Sequence, residues 1–227
     1  MPGLPKGRCS NRFLIRLVAI FIIGSIVKPG HCEENAVDLT SFVKFTAGVV
    51  SAFMIHEGSH LLVAKATETD IDWEAGNYNQ PLGFTADPDS DAKGVALYSA
   101  GLASQVIGSE IILQVDSINK NDAFVRGMMA WNIINPILYS LDYWFIRRSN
   151  QDNGNGFQGD IEGIEHYSNE TTANVFALSM LAIASFQGYR FLKTQTWAPD
   201  WLKNENHRLN FMPQNAGGFC LTYEIHF

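Results

Sequence analysis

Residues 55–65 read Ile-His-Glu-Gly-Ser-His-Leu-Leu-Val-Ala-Lys and lie in the second half of an apolar stretch, residues 42–66. Apolar residues on both sides of the polar group predict one continuous helix through it. Because residues four apart share a face of a helix, the imidazoles of His56 and His60 point the same way. Polar side chains on an apolar helix are costly to bury alone, so we expect a partner for them at this point.

The spacing His-Glu-x-x-His at residues 56–60 is typical of a helix that binds zinc. Zinc accepts neutral imidazole nitrogens, so His56 and His60 are the predicted metal ligands. Glu57 would lie on the neighbouring side of the ion, where its carboxylate can orient a water molecule and accept its proton. The alternative is a hydrogen-bonded network of the same side chains without a metal.

Three further apolar-rich stretches follow, at residues 94–115, 124–146 and 172–192. Each is long enough to cross a bilayer, which takes about 20 residues. Each also contains polar residues, which would face a hydrated interior. We therefore predict a mainly α fold, a membrane-associated bundle of about four long helices. The mean hydropathy of −0.03 is low for such a protein, so a soluble domain of amphipathic helices is the alternative.

The amino-terminal 32 residues carry five basic groups and no acidic ones, and residues 17–27 form an uncharged apolar run. A basic start followed by a short apolar run is typical of a secretory signal peptide. The run is too short to span a bilayer by itself. Because residues 30–32 make a poor cleavage site, residues 1–32 are predicted to be either a signal peptide or an uncleaved amino-terminal anchor.

The composition excludes several classes of protein. The chain has 227 residues, of which 46% are hydrophobic and 17% charged, which excludes disordered and rod-like chains. Residues 33–227 hold eleven basic and twenty-three acidic groups, and such an acidic body argues against nucleic acid as a partner. The three cysteines, Cys9, Cys32 and Cys220, are too few for a disulfide framework.

Two segments have the pattern of β-strands. Residues 67–93, between the first two apolar stretches, favour short strands or a hairpin around Gly76 and Gly83. Apolar and polar residues alternate strictly over residues 219–227, and turn residues precede them, which predicts a β-hairpin from about residue 208 to the end. The predicted organisation is therefore residues 1–32 as signal or anchor, 33–206 as a helical metalloprotease-like domain, and 207–227 as the hairpin.

Residues 55–65 resemble the active-site helix of the site-2 protease family of intramembrane zinc metalloproteases, in which a similar Leu/Val/Ala run follows the second His. The elements that follow this helix also come in a similar order. A strand-forming segment is followed by a helix that starts with small residues, here Ala100-Gly101-Leu102-Ala103-Ser104-Gln105. The resemblance covers roughly residues 45–165 and departs from the family pattern at Gly58-Ser59. It implies a zinc-dependent membrane protease in which Glu57 is the general base and the substrate is a peptide or a membrane-tethered protein.

The resemblance also implies that a later aspartate is the third zinc ligand, since catalytic zinc typically has three protein ligands and one water. Asp142 follows Asn135-Pro136, close to the family motif, but Tyr143 stands where the family has Gly. Asp160 is preceded by Gly159 and opens a predicted helix, so no bulky neighbour keeps it from an ion.

We favour Asp160 over Asp142, with a simple helix cap as the alternative role for Asp160. Glu110, within the second apolar stretch, is a third candidate ligand, although a buried polar partner is the simpler interpretation of it.

The sequence thus favours a zinc metalloprotease that crosses an inner or cell membrane several times and is surrounded by lipid. The alternative is an exported helical protein, periplasmic or secreted, with a structural or partner-binding role and no catalysis. A soluble secreted zinc protease with a Glu ligand is a third hypothesis.

Overall fold

Four long helices form the body of the protein. The computed structural model describes residues 38–77, 80–147, 159–203, 207–213 and 219–225, so the predicted signal peptide or anchor lies outside the described residues. The elements, in chain order, are α1 (Leu39–Ala66), β1 (Ile71–Asn77), β2 (Gln80–Ala86), α2 (Asp91–Gln114), α3 (Ala123–Asp142), α4 (Asp160–His166), α5 (Glu170–Lys193), α6 (Asp200–Lys203), β3 (His207–Pro213) and β4 (Phe219–Ile225). The prediction of a mainly α fold is confirmed.

Side chains cap three of the long helices at their first turn. Asp38 accepts a hydrogen bond from the main chain of Thr40, Asp122 accepts one from Phe124, and Asn169 accepts one from Thr172. These caps satisfy amide groups that have no partner within the helix itself. A π-helical turn, Tyr143–Arg147, extends α3 beyond Asp142.

The strands form two separate antiparallel pairs. β1 pairs with β2, from Ile71 opposite Ala86 to Asn77 opposite Gln80, which confirms the prediction of short strands between α1 and α2. β3 pairs with β4, with His207 opposite Ile225 and Pro213 opposite Phe219. Residues 214–218, which connect β3 to β4, lie outside the described residues, so the carboxyl-terminal hairpin stays a prediction.

Helix α3 contacts α1, α2 and α5, and α2 contacts α1, α3, α4 and α5. Glycines bring α1 and α3 into backbone contact: a Cβ on Gly48 would overlap the carbonyl oxygen of Phe124, and a Cβ on Gly127 would overlap that of Phe45. Small residues at a helix crossing allow this close approach, as they do in many membrane bundles.

Three helices of the described part, α1, α2 and α5, are long and apolar enough to cross a membrane. α3, which occupies the third predicted membrane segment, is not among them, since polar residues such as Arg126, Asn132 and Asn135 interrupt its apolar sequence.

Large apolar side chains point outward from these three helices, among them Val50, Met54 and Leu62 on α1, Ile107 and Ile111 on α2, and Val175 and Leu178 on α5. The interior combines an apolar core, which includes Leu97, Leu102 and Met129, with buried polar side chains, namely His56, His60, Gln105, Asn132, Asn135, Asp160 and Gln187 among others. Many exposed large apolar side chains together with a set of buried polar ones are unusual for a helical protein that faces water on all sides.

Candidate metal centre

His56 and His60 lie side by side on the buried face of α1. Their side chains are 3% and 1% exposed, and their Nε2 atoms are 3.4 Å apart. Nδ1 of His60 lies 2.8 Å from the carbonyl oxygen of Leu97 in α2, to which it donates a hydrogen bond. When Nδ1 carries the proton, Nε2 is left with a free electron pair, which is the form of histidine that binds a metal.

Asp160 completes the group from a distant part of the chain. It is the first residue of α4, its side chain is buried, and the preceding Gly159 holds the cap position. Oδ2 of Asp160 lies 3.2 Å from Nε2 of His56, and Oδ1 lies 3.5 Å from Nε2 of His60. Among the described residues, these three form the group whose ligand atoms all lie within 4.8 Å of one another.

Two tyrosines and two glycines position α4 against α2. The rings of Tyr98 and Tyr167 stack with their centroids 5.7 Å apart. The Tyr98 ring fills the space where a side chain at Gly163 would lie, and the Tyr167 ring does the same at Gly94. Because side chains at either glycine would separate the helices, this close contact is what brings Asp160 up to the histidines.

The spacing of the three side chains fits a tetrahedral ion. Zinc bonds of about 2.0–2.2 Å place neighbouring ligand atoms about 3.3–3.6 Å apart in a tetrahedron, against about 2.8–3.1 Å in an octahedron. The two imidazole nitrogens are 3.4 Å apart, and their distances to the nearer Asp160 oxygen are 3.2 Å, from His56 to Oδ2, and 3.5 Å, from His60 to Oδ1. Oδ2 of Asp160, although buried, has no hydrogen-bond partner among the described residues. The three side chains therefore converge on one point, with separations close to those of ligands in a tetrahedral site.

The charge state of Asp160 suits a ligand role. Burial raises the pKa of its carboxyl, but the two neighbouring imidazoles, when they are protonated in the absence of a metal, outweigh burial and hold that pKa well below its usual range. The side chain is therefore an anion at neutral pH, and an anionic oxygen is the form that binds a divalent cation.

Gly101 of α2 closes the group from the other side. A Cβ at this position would lie 2.5 Å from Nε2 of His60 and 2.6 Å from Nε2 of His56. Any side chain here would occupy the space in front of the two ligand nitrogens. The sequence marked Gly101 only as part of a small-residue helix start, because its contact with the histidines depends on how α1 and α2 pack.

Glu57 lies next to the group without belonging to it. Its side chain is half-buried and interacts electrostatically with His56, Asp160 and His60. One residue along a helix turns by about 100° from the next, so this carboxylate is on the flank of the centre rather than among the three ligand atoms.

The other candidate ligands lie elsewhere. Glu110 accepts hydrogen bonds of 2.8 Å from Arg190 at both carboxylate oxygens and a further one from Gln187, in an ion pair between α2 and α5. Asp142 is buried at the end of α3 and is not part of the three-residue group found in the described chain. Of the three acidic candidates, the structure brings Asp160 to the histidines.

No known protein family, curated protein or solved structure matches this chain. The membership implied by the resemblance of residues 55–65 to the site-2 proteases therefore stays a prediction.

Proposed function

We propose that this protein is a membrane-embedded zinc metalloprotease. The observation that carries the proposal is the buried group His56, His60 and Asp160, spaced for a tetrahedral ion, with the Glu57 carboxylate beside it. Three protein ligands leave one position of a tetrahedron open, which is the arrangement of catalytic rather than structural zinc sites.

Each residue has a definite task in peptide hydrolysis. His56, His60 and Asp160 hold the ion, and the bond from His60 to Leu97 fixes that imidazole in its ligand form. A bound zinc ion would supply Lewis-acid activation of water and of the peptide carbonyl. Glu57 accepts the proton of the attacking water and passes it to the amine nitrogen as the C–N bond breaks. The water oxygen ends in the new carboxyl group.

The proposed location is the membrane, which the chain crosses several times. The outward apolar side chains of α1, α2 and α5 would contact lipid, while the polar residues remain inside. Along α1, His60 and His56 precede the end of the helix at Ala66 by about 9 and 15 Å. The centre therefore lies inside the bundle, beneath the end that carries β1 and β2.

This depth restricts the substrate. A folded soluble protein cannot reach a centre that lies within the bundle, whereas an extended peptide or an unfolded membrane-tethered segment can. We therefore propose membrane-tethered proteins or peptides as the substrate class. Purified protein that holds no metal would favour the alternative function, that of an exported protein without catalysis.

The test compares wild type with Glu57→Gln, which keeps the size of the side chain but cannot accept a proton. Both proteins are purified in lipid nanodiscs for metal analysis, and new protein amino termini are profiled in cells that express each one. The proposal expects equal zinc content and a set of termini that appears with wild type alone. Identical termini in both cultures, or wild-type protein without zinc, would contradict it.

A further inference from the structure

Buried polar side chains continue beyond the metal centre, between α2, α3 and α5. Five of them, each at most 4% exposed, form what we call the polar seam: Gln105, Ser109, Asn132, Asn135 and Gln187. Buried polar groups are unfavourable unless they find hydrogen-bond partners, and more so in a bundle surrounded by lipid. A row of them along one interface therefore requires a physical reason.

The seam begins at the metal centre. Gln105 follows Gly101, which faces both histidines, by one helical turn and lies on the same face of α2. Asn135 precedes Tyr139 by one turn of α3, and the Tyr139 ring lies 6.1 Å from that of His56, centroid to centroid. Nδ2 of Asn135 donates a hydrogen bond of 3.1 Å to Oε1 of Gln105 and so joins the two helices.

The middle of the seam continues along both helices. Ser109 lies one turn beyond Gln105 on α2 and is fully buried. Nδ2 of Asn132 lies 3.4 Å from the position that a Cβ on Gly108 would take, so the α3 amide packs against α2 at this level.

The far end of the seam is a partly exposed ion pair. Nε2 of Gln187 in α5 donates hydrogen bonds to a main-chain carbonyl of α2 and to the carboxylate of Glu110, at 3.0 and 3.2 Å. Arg190 binds the same carboxylate, and the side chains of Arg190 and Glu110 are 30% and 39% exposed. The rise per residue of a helix puts Glu110 about 14 Å along α2 from Gly101. The seam thus connects the centre with the opposite end of the bundle.

Three polar atoms in the seam have no hydrogen-bond partner within the described chain: Nε2 of Gln105, Oγ of Ser109 and Oε1 of Gln187. Exchanging the positions of Nε2 and Oε1 of Gln105 would not satisfy the side chain. The exchange would break the hydrogen bond from Asn135 and leave Oε1 without a partner instead of Nε2. Side chains four apart on a helix are separated by about 5–6 Å at Cβ, a gap that a water molecule can bridge. Water bound inside proteins occupies this kind of polar interior.

We propose that the polar seam binds a row of ordered water molecules that connects the metal centre with the Glu110–Arg190 pair and delivers water to the reaction. This inference rests on the proposed function, since hydrolysis consumes one water for each peptide bond. Lipid around α1, α2 and α5 would block water from the sides of the bundle. The seam provides a route from the end opposite β1 and β2.

The first test does not depend on activity. A structure of the wild-type protein in lipid nanodiscs, at a resolution that shows water, should contain density about 2.7–3.2 Å from the unpaired atoms of Gln105, Ser109 and Gln187. Such density supports the seam whether or not the protein hydrolyses peptides. Its absence at these three atoms would overturn the inference and leave the proposed metal centre untouched.

The second test uses two side chains of equal shape at one position. Ser109→Thr retains the hydroxyl and Ser109→Val replaces it with a methyl group, so the added volume is the same. We expect Val to lower kcat several-fold with KM and zinc content unchanged, and Thr to keep kcat near that of the wild-type protein. Equal kcat for Thr and Val would overturn the water route. If neither variant folds, Gln105→Met provides the same comparison against Gln105→Glu, which keeps a polar end.

Discussion

Oδ2 of Asp160 lies 3.2 Å from Nε2 of His56, although α2 and α3 separate the two residues along the chain. Both side chains are buried, and this Asp160 oxygen has no hydrogen-bond partner among the described residues. A buried carboxylate oxygen beside a buried imidazole nitrogen is costly to keep unless a proton or a cation lies between them. Most of the predictions below follow from this contact.

Replacement of Asp160 by Asn should remove zinc, because the amide has the same shape but no charge for the cation. We expect zinc affinity to fall by more than about 100-fold, since loss of groups that merely support a ligand already costs about 10–100-fold. Asp142→Asn is the matched control and should leave affinity unchanged. Competition with a chelator of known affinity measures both, and equal losses in the two variants would refute the assignment of the third ligand.

Gly101→Ala should also prevent zinc binding, although Gly101 donates no ligand atom. The added methyl would lie 2.5–2.6 Å from both ligand nitrogens, so the imidazoles would have to move. Gly58→Ala is the control: it lies inside the motif, yet a Cβ there meets nothing within 4 Å. Metal analysis of the two purified variants should find zinc in Gly58→Ala alone. Zinc in Gly101→Ala at the wild-type level would show that the space in front of the histidines is not needed.

The proposed lipid contact can be tested at Val50, which points outward near the middle of α1. A Lys at the centre of a membrane helix costs about 2.5–3.5 kcal/mol of insertion free energy. An outward Val→Lys change on a soluble helix usually changes stability by no more than about 0.5 kcal/mol. Val50→Lys should therefore reduce the fraction that resists carbonate extraction, whereas Asp116→Lys in the α2–α3 connection should not. Wild-type protein released fully by carbonate would contradict a spanning bundle.

Local patterns in the sequence were enough to predict two of the three residues of the candidate centre, His56 and His60. The four-residue spacing of His56 and His60 places both on one helix face, and the apolar surroundings imply a buried partner. Gly159 before Asp160 favoured that aspartate as the third ligand, and in the structure Gly159 is the cap residue of α4. The choice between Asp160, Asp142 and Glu110 could not be made from the sequence, because it depends on how distant helices pack.

Other features depend wholly on tertiary packing. The contact between Gly101 and the histidines exists only because α2 crosses α1 at that level. The polar seam likewise requires α2, α3 and α5 to meet, and the sequence offered only isolated Asn and Gln residues. The third predicted membrane segment corresponds to helix α3, whose polar residues Asn132 and Asn135 are buried among the neighbouring helices.

The most direct test of the account is the metal content and coordination of the wild-type protein, purified without added metal in lipid nanodiscs. Elemental analysis with X-ray absorption at the zinc edge should find one zinc per chain, bound by two imidazole nitrogens and by oxygen at about 2.0–2.2 Å. His56→Ala should lose this zinc. Purified protein that contains no zinc and takes up none when zinc is supplied would contradict the metal centre and the enzymatic function built on it.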